Sequence, residues 1–190
     1  QDARRPLGWL VRAFPTPYLT WLAGHATKAA FGFKLKTGGQ VYNLERTLHA
    51  LHRRGWRLVY LSRRDALEQT FSWSVAQASG CWQSRSDRHI PKPAHIRLDV
   101  EQFLRNLHTC VQDRQHLASL LRKLPHLALV YEDDLQHSTQ WPATGARLCS
   151  YLGVAPAPRF SRIVKTWDQP YSNGVTNYSE IMAAVCTSAR

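Results

Sequence analysis

Two side chains that suit phosphate binding stand eight residues apart near the middle of the chain. Arg64 follows a short apolar run at residues 57–61, and Ser72 lies in the helical pattern that comes next. Arginine offers a planar fork of donors that matches phosphate, and serine adds a short hydroxyl donor. Open α/β sheets bind their ligands at the carboxyl ends of strands. The spacing therefore predicts a phosphate clamp made of Arg64 and Ser72.

The elements that must position this clamp alternate between strand and helix patterns. Such alternation predicts an α/β fold, a parallel sheet flanked by helices, in one domain over residues 1–190. The predicted strands are residues 31–36, 57–61 and 127–131. The predicted helices cover residues 17–30, 44–51 and 67–78. Residues 98–124 are predicted to form one long helix or two, with Asp99 as N-cap, and a last helix ends at Leu152 with Gly153 as its stop. Residues 79–93 are polar and basic and are predicted to form a loop beside the site.

The clamp and its surroundings resemble the sulfotransferases that use 3′-phosphoadenosine-5′-phosphosulfate (PAPS). In that family a strand ends in Arg followed by Asp or Asn, and the next helix carries Ser at the eighth position after the Arg. Arg64, Asp65 and Ser72 fit that register. The resemblance implies that Arg64 and Ser72 bind the 3′-phosphate of the nucleotide, and that the fold is the P-loop NTPase-like sulfotransferase fold.

Further fragments are similar to the bacterial carbohydrate branch of the family, which includes trehalose and Nod-factor sulfotransferases. The fragments are short, and their order over residues 31–181 makes the resemblance specific. In chain order they are Gly32-Phe33-Lys34, Arg63-Arg64, the stretch from Ala76 to Trp82, Tyr131-Glu132-Asp133-Asp134-Leu135, Tyr151-Leu152-Gly153-Val154 and the segment from Val175 to Ile181.

One family element has no counterpart in the sequence. The family opens with a strand, a Lys/Arg-Ser-Gly-Ser/Thr loop and a helix, and that loop binds the 5′-phosphosulfate. The thirty residues before Phe31 contain no such loop, and the chain begins at Gln1. We therefore expect a fragment or a processed chain, with the general base upstream of Gln1 and no catalytic residue identified here.

Two further basic residues complete the predicted nucleotide site. Arg63 faces the opposite side of the strand from Arg64, which favours an ion pair or a surface position over phosphate contact. Lys34 lies in the strand predicted at residues 31–36, where a buried charge must be paired. A contact between Lys34 and the sulfonate at the end of that strand is the minor alternative.

Other chemically suggestive groups receive a structural interpretation. Lys36-Thr37-Gly38-Gly39 imitates a phosphate loop but lacks the Gly-x-x-x-x-Gly-Lys-Ser/Thr pattern, so it is interpreted as a strand-to-helix turn. Glu132, Asp133 and Asp134 look like a metal cluster, but PAPS chemistry needs no metal and strand-end acids cap helices or pair with arginine. His89 is the most accessible histidine for acid–base work among nine, which makes it a weak choice. Trp82 is a candidate for shaping the acceptor pocket.

Composition limits the class of partner. Lys and Arg total 25 against 13 Asp and Glu, a net charge of +12, which favours anionic partners without choosing among them. The four cysteines lie far apart, so we expect free thiols and no structural zinc, with two long-range disulfides as the alternative. No apolar run reaches membrane-span length, and Arg12, Pro15 and Pro17 interrupt any signal-type region, so we expect a cytoplasmic protein.

These observations predict an enzyme that transfers a sulfuryl group from PAPS to a hydroxyl of a carbohydrate or glycolipid. The alternative is a non-catalytic basic protein that binds nucleic acid or anionic glycans through its charge. Recognisable nucleic-acid-binding motifs are missing from the sequence, so we expect no nucleic acid partner. A nucleotide kinase of related fold is disfavoured by the missing P-loop. The sequence leaves the acceptor and the oligomeric state open.

Overall fold

The computed structural model describes residues 15–27, 30–35, 43–82, 84–85, 95–156, 163–164, 167 and 169–188. Within these residues the fold is mixed α/β and mostly helical. The elements in chain order are α1 (Pro15–Gly24), α2 (Leu44–Arg53), β1 (Leu58–Ser62), α3 (Ala66–Ser79), β2 (Ser84–Arg85), α4 (Val100–Leu121), β3 (His126–Val130), α5 (Tyr131–Asp134), a 3₁₀ turn (Ser138–Gln140), α6 (Trp141–Leu152), β4 (Ile163–Val164), α7 (Tyr171–Gly174) and α8 (Tyr178–Ser188).

Strands β1 and β3 form a small parallel sheet, in which Leu58 pairs with His126 and Ser62 pairs with Val130. The strands predicted at residues 57–61 and 127–131 are therefore confirmed, each displaced by one residue. Parallel neighbours need a long crossover, and the chain between them contains the helices α3 and α4. A second pair, β2 with β4, is antiparallel and two residues long.

The strand predicted at residues 31–36 is wrong over the described residues 31–35, which are irregular. Phe31 and Phe33 instead pack edge-on against the Trp56 ring, with centroid distances of 6.0 and 5.2 Å. The alternation of aromatic residues therefore reflects contact with one tryptophan, not pairing in a sheet. Lys34, the residue after Phe33, is exposed, so the expected buried charge is absent from this position.

Predicted helix ends agree well with the structure. Asp99 caps α4, because its Oδ1 accepts a hydrogen bond from the Gln102 backbone N–H at 2.6 Å. Helix α6 ends at Leu152, and Gly153 adopts the left-handed conformation, with φ of 69°, that favours glycine. Helix α1 begins and ends earlier than residues 17–30 predicted. No helix among the described residues combines the length and apolar character needed to cross a membrane.

The chain divides into two compact units. The first unit contains the described residues through Ser62 and those from Gln115 to 156; the second contains Arg63–Arg114 and the described residues from 163 onward. The core of the first unit is aliphatic and centres on Leu48, Leu121 and Leu124. It is packed by side chains from α2, α4 and β1, which fixes the strand that precedes the predicted clamp.

The core of the second unit contains a cluster of aromatic rings among aliphatic side chains. The Phe71 ring on α3 lies 4.5 Å from Phe103, 5.1 Å from Tyr171 and 5.2 Å from Tyr178, measured between ring centroids. Because Phe71 is 1% exposed, this stack fixes the rotation of α3 about its axis. Ser72, the next residue, is held in position by the same packing.

The segment from Val175 to Ile181 has a structural role in this unit. The Asn177 side chain accepts a hydrogen bond from Leu98 N–H at 3.0 Å and donates one to the Leu98 carbonyl at 2.9 Å. Gly174 precedes it, and a Cβ built there would lie 2.0 Å from the Trp167 ring. Only glycine fits at that position, so the close approach of backbone and indole depends on it.

Candidate anion-binding site at the strand-to-helix turn

The turn between β1 and α3 is built by an N-cap. Asp65 Oδ1 accepts hydrogen bonds from the backbone N–H groups of Leu67 at 2.8 Å and Glu68 at 3.0 Å. A helix N-terminus normally offers such N–H groups to an anion, but here the carboxylate already occupies them. An anion bound at this turn must therefore be held by side chains.

Arg63 and Arg64 occupy the two positions between the strand and the N-cap. Arg64 is exposed and Arg63 is half-buried. The backbone carbonyl of Arg64 accepts a hydrogen bond from Arg114 Nη1 at 3.1 Å. Arg114 comes from α4, fifty residues further along the chain. The turn thus carries the two predicted arginines and gains a third that the sequence analysis missed.

Ser72 is the seventh residue of α3 and is half-buried. Its hydroxyl makes no hydrogen bond with the part of the chain that the structure describes. The other hydroxyls of the helix all take part in hydrogen bonds. Thr70 donates to the Ala66 carbonyl at 2.8 Å, and Ser79 donates to the Val75 carbonyl at 2.7 Å. Ser74 accepts from Asn106 Nδ2 at 3.2 Å. Ser72 therefore has no hydrogen-bond partner among the described residues, and its hydroxyl is a candidate donor to a ligand.

Helices α3 and α4 meet along a polar seam, defined by Asn106, Cys110 and Arg114 on α4. These residues are spaced by four and lie on one helix face. Cys110 is 8% exposed, and the nearby Thr70 side chain lowers the pKa of its thiol. Because polar residues occur all round α4, the sequence alone does not single out this seam.

The charges at the turn affect the pKa of the Cys110 thiol. Burial raises the pKa of Cys110 above its ordinary value, and the nearby Arg114 and Arg63 guanidinium groups act in the opposite direction. Asp113 adds to the rise. Both arginines therefore lie close enough to the buried sulfur of Cys110 to lower its pKa. Their positive potential extends from the turn to this thiol.

The remaining sequence candidates fall elsewhere. Lys34 belongs to the first unit, whereas Arg63, Arg64 and Ser72 belong to the second. Trp82 follows the C-terminus of α3 and is 59% exposed. Residues 36–39 and His89 lie outside the described residues. All four cysteines are free; Cys110 and Cys149 are buried.

Among the acidic residues after β3, Asp134 has a clear structural role. Asp134 is 7% exposed; its Oδ2 accepts from the Val130 backbone N–H at 2.7 Å and its Oδ1 from Arg147 Nη1 at 2.6 Å. The Thr144 hydroxyl donates to the Asp134 backbone carbonyl at 2.8 Å. Asp134 thus ties the end of β3 to α6, as expected of a strand-end acid. Among the described residues no group of three His, Cys, Asp or Glu side chains is arranged to hold a metal ion.

Chemically, the turn suits a phosphate monoester. It has an exposed guanidinium and a half-buried one, Ser72 follows on α3, and the whole chain carries a net charge of +12. Comparison of the chain with protein-family models, with curated proteins and with solved structures finds no match.

Proposed function

We propose that this chain carries the 3′-phosphate-binding part of a PAPS-dependent sulfotransferase whose acceptor is a hydroxyl of a carbohydrate or glycolipid. The observation that supports this best is the position of Arg64 and Ser72, eight residues apart in one strand–turn–helix segment. Arg64 stands at the end of a parallel strand, and Ser72 is the one hydroxyl of α3 without a hydrogen bond to the described part of the chain. This is the register that the family resemblance requires.

Each residue of the turn has a distinct task in this proposal. The Arg64 guanidinium binds two phosphate oxygens, and the Ser72 hydroxyl donates to a third oxygen or to the bridging position. Asp65 takes no part in binding, since it caps α3 through Leu67 and Glu68. Arg63 adds positive potential from its half-buried position.

Bound in this way, the nucleotide is oriented by groups remote from the sulfur. PAPS supplies an electrophilic sulfuryl group and a good leaving group, so orientation and charge neutralisation carry much of the catalysis. In the overall reaction the acceptor oxygen forms a bond to sulfur, the bond from sulfur to the nucleotide phosphate breaks, and a base takes the hydroxyl proton. Arg64 and Ser72 thus act in binding.

Trp82 is proposed to line the acceptor site. An indole with more than half of its surface exposed offers an apolar face with a polar N–H, which suits the mixed surface of a sugar ring. Activity with sugar acceptors should then show a raised KM in Trp82→Ala. Unchanged acceptor kinetics would remove Trp82 from the acceptor site.

A second candidate function rests on charge alone. A chain with 25 basic and 13 acidic residues attracts any polyanion, and such binding weakens steeply with salt and ignores the identity of the nucleotide. Specific recognition of a 3′-phosphate behaves differently, because it distinguishes 3′-phosphoadenosine-5′-phosphate from 5′-AMP. The two candidates can therefore be separated with two small ligands.

The deciding experiment is calorimetric titration of both nucleotides into the wild type, Arg64→Ala and Ser72→Ala at two salt concentrations. We expect Arg64→Ala to weaken binding of the bisphosphate about 10-fold to 100-fold and Ser72→Ala about fivefold, with 5′-AMP little affected. Arg105→Ala is the matched control, since Arg105 is an exposed arginine of the same unit paired with Glu101 at 3.4 Å. Equal losses in Arg64→Ala and Arg105→Ala would favour charge-driven binding.

A further inference from the structure

The Arg114 guanidinium is hydrogen-bonded to a backbone carbonyl of the binding turn. Arg114 Nη1 donates to the Arg64 carbonyl oxygen at 3.1 Å. That carbonyl belongs to the peptide unit joining Arg64 to the N-cap Asp65. With Asp65 fixed by its two bonds to the first turn of α3, the bond to Arg114 fixes the remaining rotation of this peptide plane.

Fixing the plane matters because Arg64 is exposed. Its side chain starts from a Cα in the link between strand β1 and helix α3. A held peptide unit sets the direction of the Cα–Cβ bond and so restricts where the guanidinium can reach. Preorganisation of this kind increases affinity by reducing the entropy lost on binding.

The Arg114 side chain is half-buried. Arg114 extends from the polar seam of α4, one turn after Cys110, which is buried against Thr70. Its Nη2 is buried and has no hydrogen-bond partner among the described residues. The guanidinium is therefore held by packing together with a single bond through Nη1, and a group with one charged donor would reproduce the contact.

From this geometry we infer that Arg114 is a positioning residue for the phosphate site: it holds the backbone of Arg64 so that the Arg64 side chain meets the 3′-phosphate. This inference rests on the proposed function. It assigns to Arg114 no contact with the ligand, and its effect on binding must pass through Arg64.

The test is a double-mutant cycle read by calorimetry. The proteins are the wild type, Arg64→Ala, Arg114→Met, the double variant, Arg114→Lys and the control Arg105→Met; the ligands are 3′-phosphoadenosine-5′-phosphate and 5′-AMP. We expect Arg114→Met to weaken bisphosphate binding about fivefold to tenfold while 5′-AMP binding stays within about twofold. Arg114→Lys and Arg105→Met should both stay within about twofold of wild type.

The decisive comparison is the effect of Arg114→Met in the Arg64→Ala background. A positioning residue loses its effect when the residue that it positions is absent, so the double variant should bind no more weakly than Arg64→Ala. An added loss of several-fold would instead indicate direct contact with the ligand and overturn the inference. Wild-type affinity in Arg114→Met would also overturn it.

Failure of the proposed function has a different signature. In that case the wild type would not prefer the bisphosphate over 5′-AMP at all, whatever the variants do. If Arg114→Met does not fold, as judged by thermal unfolding, Arg114→Gln provides the same test with a smaller loss of packing. An Arg114→Lys variant that folds normally yet loses binding would contradict the single-donor argument and with it the inference.

Discussion

The two strands of the parallel sheet lead into turns of opposite charge, and the two turns use their charges differently. After β3, the Asp134 carboxylate is buried and accepts hydrogen bonds from the Val130 N–H and from Arg147. After β1, Arg64 is exposed, and the bond that holds the turn to α4 engages its backbone carbonyl. One turn uses charge to build the fold, and the other presents charge at the surface.

This difference distinguishes a charged residue with a structural role from one available to bind a ligand. A buried carboxylate needs several donors to offset its desolvation, and the Asp134 site supplies them from β3 and α6. An exposed guanidinium has little desolvation to offset and contributes little to stability. Mutations at the two turns should therefore affect different observables, stability after β3 and binding after β1.

The largest expected effect is on stability, at the acidic turn. Asp134→Ala leaves the Val130 N–H without its acceptor and Arg147 without its partner, so we expect the free energy of unfolding to fall by about 3 kcal/mol. The measurement is urea unfolding followed by circular dichroism. Bisphosphate affinity, titrated well below the unfolding midpoint, should be unchanged.

The matched control is Asp133→Ala, which removes an exposed acid from the same short helix. It should change the free energy of unfolding by no more than about 1 kcal/mol. Equal losses in the two variants would break the distinction between buried and exposed charge at this turn.

The next effect concerns the cap of α3. Asp65→Ala removes the acceptor of two backbone N–H groups, so we expect a loss of about 1 kcal/mol in the free energy of unfolding, whereas Asp65→Asn should lose less than about 0.5 kcal/mol. Neither variant should weaken bisphosphate binding, because the Asp65 side chain accepts hydrogen bonds and offers none to a phosphate. Thermal unfolding and calorimetry on the same preparations check both statements.

Local patterns in the sequence predicted local structure well. The strands around β1 and β3, the long helix with its Asp99 cap, and the Gly153 stop follow from periodicity and end signals within a few residues. Sequence predictions were wrong where contact with a residue far along the chain determines the local structure. The strand predicted at residues 31–36 is the clearest case, since Trp56 accounts for its aromatic alternation.

The candidate site shows the same contrast between local and distant contacts. Arg64 and Ser72 lie within one strand–turn–helix segment, so their register is visible in the sequence, and their binding role stays a prediction. Arg114 was missed because it meets Arg64 across fifty residues, through a backbone carbonyl whose position no residue type reveals. Lys34 was chosen from a strand pattern that the described residues do not adopt, and its contact with the sulfonate stays a prediction.

The smallest expected effect appears only at alkaline pH and reports on the interior side of the cationic turn. Burial raises the pKa of Cys110 in the folded state, despite the opposing effect of Arg114 and Arg63. In the unfolded chain a cysteine titrates near its ordinary pKa of about 8.5. Above that pH the unfolded state binds fewer protons than the folded state, so the free energy of unfolding falls as pH rises.

Urea unfolding of the wild type and Cys110→Ala at about pH 7.5 and about pH 9.5, roughly one unit on either side of the ordinary thiol pKa, measures this contribution. The wild type should lose more stability over the interval than Cys110→Ala, whereas the variant at the exposed cysteine, Cys186→Ala, should behave as the wild type does.

A bound phosphate would oppose the arginines electrostatically and raise the pKa of Cys110 further. Saturating bisphosphate should then slow alkylation of Cys110 in the wild type but not in Arg64→Ala, which would link the buried thiol to the exposed arginine through one ligand.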